Sequence, residues 1–266
     1  MILRTKTTLA VLITILVTGC ANEPKNDAII ENVSEDWNVI SIDGSNIPNA
    51  ETEEIDEEMT IATENVETYG KIEDVKEIRF DEKNIDVKLL PSSSDDIEVK
   101  VSGTARKGAN IKIVPDLLNN LLYIYVKGDL TNSNLSCSIG IPKKEFKDLW
   151  VLTKNGNISA IGNGDINIDM ITLESENGDI DCDLFSELLT VVTENGCITS
   201  NINVLSNSRL SYSSQNGNIN LGLQNVKVFD TSVNTDKGKV SNQFNPNGEY
   251  TVEGRIETTN GNIRIH

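Results

Sequence analysis

The chain is poor in the residues on which most enzymes rely. Among 266 residues there is one histidine, His266 at the very end, and aromatic residues make up only 5%. This leaves little for imidazole acid–base catalysis or a His-rich zinc site. With so few rings, the core must consist of small aliphatic side chains. Basic residues are also scarce: the net charge is -18, which disfavours nucleic acid as a partner because phosphates are repelled.

Long apolar runs are missing too. Residues 1–20, MILRTKTTLAVLITILVTGC, carry Arg4 and Lys6 before an apolar stretch of about 11–13 residues, whereas a membrane span needs about 20. The alternative of a transmembrane anchor is therefore disfavoured, and residues 1–19 are predicted to be a secretory signal peptide. The ending VTGC resembles the lipobox of bacterial lipoproteins. That resemblance implies that Cys20 is lipidated, and that the chain is extracytoplasmic and anchored to the bacterial membrane at the cell surface.

The next segment lacks the composition of a folded domain. Residues 21–70 contain 14 acidic residues and a single lysine, Lys25. Such a segment buries too little apolar surface to offset its ordering entropy. Residues 20–70 are therefore predicted to form an acidic, disordered tether.

Apolar and polar residues alternate from about residue 71. The stretches VKEIRF (75–80), IEVKVSG (97–103) and LLYIYVKG (121–128) are typical of strands. No convincing amphipathic helix follows the signal. Residues 71–148 are predicted to be an irregular β region, and residues 149–266 a repeat region.

The repeat is defined by glycine turns that recur at intervals of 22, 18, 21, 21 and 23 residues. Its consensus is apolar-x-Thr/Ser-x-Asn-Gly-x-Ile/Val, with one departure, Lys237, in the Asn column. The predicted structural turn residues are Asn155, Gly156, Asn177, Gly178, Asn195, Gly196, Asn216, Gly217, Gly238, Asn260 and Gly261.

A fixed period near 21 residues predicts an all-β fold, a parallel β-solenoid of the β-roll or β-helix type with six coils. Stacked coils would bury columns of Ile and Val, and inward Thr or Ser hydroxyls would satisfy turn amides that the strand pairing leaves open. The Asn-Gly pairs are expected to supply positive φ angles. An antiparallel meander would also use Asn-Gly turns, but its columns need not match in residue type, as they do here.

The stretch from LLYIYVKG to VLTKNGNISAIG, followed by TLESENGDIDCDL, resembles the bacterial putative-adhesin family. This family is also called the β-strand-repeat family, domain of unknown function 4097. The resemblance spans roughly residues 70–266 and rests on an Ile-x-Ile-Pro element leading into the first Thr-x-x-Gly-x-Ile turn. It implies a β-solenoid or β-roll without established catalytic residues.

One outward-facing group of acids is a candidate metal site. Carboxylates could hold Ca²⁺ weakly, although a solvated acidic face is the favoured interpretation; the residues are Glu174, Glu176, Asp179, Asp181, Asp183 and Glu194. No cofactor is predicted. Outward positions of the repeat are mostly Asn, Ser and Thr, so no catalytic residue is assigned.

These features predict a non-catalytic binding, adhesion or scaffolding module of the cell envelope. A wall polymer, a glycan or an envelope protein would be its partner. Envelope-stress sensing is the alternative, and a carbohydrate-active β-helix enzyme a remote one. A row of exposed aromatics would favour glycans, but only Trp150 and Tyr250 are candidates. The last strand reaches His266 without a cap, so self-association through the C-terminal coil is also predicted.

Overall fold

A computed structural model describes residues 61–69, 74–106, 108–162 and 165–266. The signal peptide, Cys20 and most of the predicted tether lie outside these residues. The described chain folds into two large sheets, one of ten strands and one of nine. Their inner faces enclose one continuous apolar core. Among the described elements, no helix is long and apolar enough to cross a bilayer.

The ten-stranded sheet is built, in spatial order β1-β4-β7-β3-β9-β11-β13-β15-β19-β17, from β1 (Ile61–Tyr69), β4 (Ile97–Thr104), β7 (Asn134–Ile141), β3 (Ile85–Pro91), β9 (Ile158–Ala160), β11 (Ile180–Cys182), β13 (Ile198–Asn203), β15 (Ile219–Gln224), β19 (Ile263–Ile265) and β17 (Val240–Asn242). The nine-stranded sheet is built, in the order β16-β18-β14-β12-β10-β8-β2-β6-β5, from β16 (Val226–Thr235), β18 (Tyr250–Thr258), β14 (Ser208–Ser214), β12 (Leu188–Thr193), β10 (Asn167–Ser175), β8 (Glu145–Thr153), β2 (Glu77–Glu82), β6 (Leu121–Lys127) and β5 (Lys112–Leu118).

Each repeat forms one coil, which places its first strand in the nine-stranded sheet and its second strand in the ten-stranded sheet. Neighbouring coils pair in parallel, and the register joins the same positions of each repeat. Leu173 is paired with Val151 and Val191, and Ile180 with Ile158 and Ile198. All six side chains are at most 1% exposed. The all-β prediction is confirmed, and the two parallel-rich sheets are compatible with a β-solenoid.

The coils do not all stack in chain order. The last coil, β18–β19, lies between β14–β15 and β16–β17, so the fifth repeat forms the end of the stack. Val240 in this end coil is accordingly 44% exposed. The sequence analysis expected a free edge at the C-terminal coil as the route of self-association. The free edge is not there, because β18 and β19 are paired on both sides, and at this end of the stack the edge strands are β16 and β17. Self-association itself stays a prediction.

The stack also extends further toward the N-terminus than the repeat motif. Strands β2 and β3 form an additional coil that packs on the first repeat, with Phe80 paired to Val151 and Val87 to Ile158. Its turn, EKNID (82–86), lacks the glycine of the motif. Beyond it, β1, β4 and β5 pair antiparallel. Because β1 begins at Ile61, the described β structure starts inside the segment that the sequence assigns to the tether.

The turn glycines are required for a different reason from the one expected. None of them has positive φ; among the described residues, the glycines with positive φ are Gly103, Gly108, Gly128 and Gly254. A Cβ on Gly178 would instead collide with the carbonyl oxygen of Gly156 in the neighbouring coil. Every turn glycine of the repeat meets its neighbour in the same way. The glycine column therefore allows the turns of adjacent coils to approach closely.

Two rows of side chains tie the turns together. In the buried hydroxyl row, each Thr or Ser donates at 2.8–3.2 Å to a turn carbonyl of the neighbouring coil. In the exposed asparagine row, each Nδ2 donates to Oδ1 of the preceding asparagine at 2.6–2.8 Å, through Asn84, Asn155, Asn177, Asn195, Asn216 and Asn260. The exception, Lys237, belongs to the end coil, where the row stops. A lysine at an exposed strand edge also discourages pairing with other chains.

Candidate functional site: an aromatic patch on the nine-stranded sheet

Several aromatic side chains gather on the outer face of the nine-stranded sheet. Strands β8, β2 and β6 are neighbours there, and register places Arg79 between Trp150 and Tyr123. Tyr125 projects from the same face as Tyr123, since alternate residues of a strand share a face. These side chains are half-buried, whereas the residues between them are buried core. The aromatic patch is defined as Glu77, Arg79, Tyr123, Tyr125, Asp148 and Trp150.

The rings of the patch are held by mutual contacts. The Arg79 guanidinium carbon lies 4.6 Å from the centroid of the Trp150 ring, a cation–π arrangement. The rings of Tyr123 and Tyr125 are stacked, with centroids 5.8 Å apart and planes 5° apart. Because neighbouring strands are about 4.8 Å apart, Trp150 and Tyr123 are separated by about 10 Å across β2. The patch is thus a broad, pre-ordered apolar surface.

Two polar atoms of the patch are buried without a hydrogen-bond partner in the described structure, Trp150 Nε1 and Asp148 Oδ1. They belong to residues two apart on the same face of β8. Buried polar atoms are normally satisfied, so such a pair calls for an explanation. Partial burial of Asp148 raises its carboxyl pKa, and the neighbouring Glu77 carboxylate raises this pKa further. A ligand that bonded both atoms would remove part of this desolvation cost.

Negative charge surrounds the aromatic rings. Besides Glu77 and Asp148, the same face carries Asp81 in β2, Asp116 in β5 and Glu174 in β10. Each of these strands is part of the patch or is paired with a strand of the patch. Arg79 lies among them, with a long ion pair to Asp81 at 4.0 Å. Lys127 and Lys112 are paired on the same face beyond Tyr125, so five carboxylates face three basic groups. The field over the patch therefore repels anions.

The six carboxylates predicted as a calcium site are not brought together. No group of acids, cysteines or histidines among the described residues is arranged to hold a metal ion. Glu174 lies in β10 of one sheet and Asp181 in β11 of the other, so their side chains face opposite sides. Glu176 is paired with Lys154 at 2.8 Å. The prediction failed because it counted outward positions without separating the two faces of the coil.

Several of these acids have structural roles. Asp179 Oδ1 accepts from the Cys197 backbone N–H at 2.7 Å, and Asp183 Oδ1 accepts from the Asn201 N–H at 2.9 Å. Glu194 is exposed. The predicted turn residues, in contrast, form the glycine and asparagine rows.

The cysteines of the core are unsuited to chemistry. Cys137 and Cys182 are free and buried, and burial raises the pKa of each thiol to about 12. A thiol with so high a pKa stays protonated and is a poor nucleophile. Because Cys182 is free, it is not bonded to Cys197, as the opposite facing of their columns requires.

The sequence pattern pointed to Trp150 but not to Tyr123, Tyr125 and Arg79. The two tyrosines alternate with Leu122, Ile124 and Val126 in LLYIYVKG, and either set could have faced the core. Only the pairing of β2 between β6 and β8 brings them beside Trp150. Tyr250, the other aromatic candidate, packs partly buried against the core at the opposite end of the stack.

Fold and patch together describe an all-β protein with an exposed aromatic surface. Comparison with solved structures found weak likenesses. A putative cell adhesion protein from Clostridium sporogenes ATCC 15579 is 12% identical, with a TM-score of 0.49 over 76% of this chain and 98% of that chain. A putative adhesin from Bacteroides fragilis NCTC 9343 is 10% identical, with a TM-score of 0.33 over 77% and 98%. Another from Parabacteroides distasonis ATCC 8503 is 12% identical, with a TM-score of 0.31 over 76% and 96%.

No protein-family model matches the chain, and no curated protein matches it in sequence. The function therefore has to be inferred from this chain's own residues.

Proposed function

We propose that this chain is a β-solenoid of the bacterial envelope, anchored through a lipid on Cys20, that works as a non-catalytic binding module. Its binding surface is the aromatic patch. The observation that carries the proposal is the coincidence, on one open face, of three half-buried aromatic rings with two unpartnered buried polar atoms. Amphipathic aromatic side chains of this kind dominate recognition surfaces because they combine large contact area with few rotatable bonds.

A carbohydrate-active enzyme is the second candidate, and one observation favours it. Glu77 and Asp148 are paired in register on adjacent strands, and the pKa of Asp148 is raised. Most glycosidases act through a pair of carboxyl groups that differ in pKa. The pair lies side by side on an open sheet face, however, whereas the two carboxylates of a glycosidase flank the bond that is cleaved. Binding is therefore the better-supported function.

Retention on bacterial cell walls tests the binding proposal. The full chain in detergent micelles is mixed with purified walls and sedimented. Trp150→Ala is expected to weaken retention by at least about tenfold, as loss of a central aromatic anchor does in other interfaces. Thr199→Ala is the matched control, because Thr199 in β13 is half-buried on the outer face of the ten-stranded sheet, away from the patch. Its retention should equal that of the wild type.

Equal retention of the Trp150→Ala and wild-type chains would contradict the proposal, provided both unfold at the same temperature. Release of new reducing ends from the walls, lost in Asp148→Asn, would favour the enzyme instead.

A further inference from the structure

We infer that the aromatic patch binds an uncharged glycan, laid across the strands in an extended conformation. This inference rests on the proposed function and names the ligand class of the same surface. The patch has three properties that a ligand must match: its hydrogen-bonding needs, its shape and its charge.

The unpartnered atoms require a ligand that both donates and accepts. Trp150 Nε1 can only donate, and Asp148 Oδ1 accepts when the carboxylate is ionised. Both are buried without a partner in the described structure. Sugar hydroxyls meet both needs, since each hydroxyl donates one hydrogen bond and accepts others. A hydrocarbon acyl chain would leave both atoms unsatisfied, at a cost in binding.

The arrangement of the rings fits a chain of sugar rings. The face of a pyranose carries a patch of C–H groups that packs on an aromatic ring, while its hydroxyls point outward around the edge. Trp150 and Tyr123 lie in one row, about two strand spacings or 10 Å apart. One face of each ring is taken by Arg79 or Tyr125, so a sugar would pack on the other face. Arg79 lies between them and supplies hydrogen-bond donors.

The row continues beyond Trp150 as a line of small hydroxyl side chains. Thr172, Thr190 and Ser211 follow one another in register on β10, β12 and β14, and all three are half-buried on the outer face. These residues add no charge and no obstruction. A chain lying on the aromatic rings can therefore extend along the stack, whereas a compact ligand would have no reason to use this line.

Charge disfavours the acidic alternatives. The face carries Arg79, Lys112 and Lys127 against Glu77, Asp81, Asp116, Asp148 and Glu174. This excess of carboxylates disfavours polyanions such as uronic-acid polymers or phosphate-linked wall polymers. A neutral chain pays no such penalty, and its binding should be almost independent of salt.

Fluorescence titration of Trp150 tests the inference. The full chain carries Trp37→Phe, so that Trp150 is its only tryptophan, and is titrated with hexamers of glucose, N-acetylglucosamine, galacturonate and glucosamine. At least one of the two neutral hexamers is expected to shift the emission saturably. Between low and high salt its affinity should change by less than about twofold.

Tyr123→Ala should weaken that binding at least about tenfold, and Thr231→Ala, on the end coil, should leave it unchanged. Tighter binding of the galacturonate or glucosamine hexamer would overturn the uncharged class and leave the proposed function standing. Failure of all four hexamers, with Trp150-dependent retention on walls intact, would overturn the glycan inference alone. Loss of both signals would overturn both proposals.

Discussion

Replacing Gly196 by alanine is expected to destabilise the fold by about 3 kcal/mol or more. The added Cβ would collide with the carbonyl oxygen of Gly178, which belongs to the backbone of the neighbouring coil and cannot rotate away. Gly196 is itself approached by Gly217 from the other side, so neither coil can shift without disturbing the next. Urea unfolding of the full chain followed by circular dichroism measures the change in the free energy of unfolding.

Gly140→Ala is the matched control for this experiment. Gly140 lies in β7, and a Cβ there would meet the Cβ of Glu98 at 3.2 Å, a contact that a shift of a few tenths of an ångström relieves. Its cost should stay below about 1 kcal/mol. Similar unfolding free energies for the two variants would show that the coils can separate at the turns, and would contradict the close approach assigned to the glycine row.

Thr193→Val is expected to cost about 2 kcal/mol of stability. Thr193 is 2% exposed, and its Oγ1 donates to the Gly178 carbonyl oxygen at 2.9 Å. Valine has nearly the same shape but no donor, so the substitution removes this hydrogen bond and leaves packing almost unchanged. Melting temperature and urea unfolding report the loss.

Thr190→Val in the same strand isolates the hydrogen bond from the change in residue type. Thr190 faces outward and is only half-buried, and β-branched residues are equally suited to strands. Its effect should be within about 0.5 kcal/mol. A Thr193→Val variant as stable as the Thr190→Val variant would show that the hydroxyl row contributes nothing to the stack.

The repeat could be recognised in the sequence because equivalent positions of successive repeats carry the same type of residue. Positions five before each glycine and two after it are apolar in every coil, and the structure pairs them in register, for example Val191 with Tyr212 and Ile198 with Ile219. Column identity follows from stacking, since each position contacts only the same position of its neighbours. The inward hydroxyls were predicted for the same reason.

The order in which the last two coils stack could not be predicted from the sequence. Equivalent positions carry the same residue types in every repeat, so they do not show which repeats are neighbours. The one signal was Lys237, which breaks the Asn column where the row ends. The role of the glycines was also misjudged. Asn-Gly suggests positive φ in an isolated turn, but here the constraint comes from the next coil and is invisible within one repeat.

The aromatic patch could not be predicted from the sequence, because it depends on the order of the strands in the sheet. Trp150 and Tyr123 are joined through β2, which inserts between β6 and β8. The turn of β2 and β3 lacks the glycine that marks the other coils, so the extra coil went unrecognised. Without it, the tyrosines of β6 could not be placed beside the tryptophan of the first repeat.

Hydroxyl-radical footprinting of the full chain, free and bound to cell walls, tests most directly that the aromatic patch is the binding surface. Oxidation of Trp150, Tyr123 and Tyr125 should fall strongly on binding. Phe185, partly buried at the far bend of the coils, and Phe244, at the end coil, should be oxidised equally in both states. Protection of Phe185 or Phe244 with unchanged oxidation of Trp150 would contradict the account and place the binding surface elsewhere.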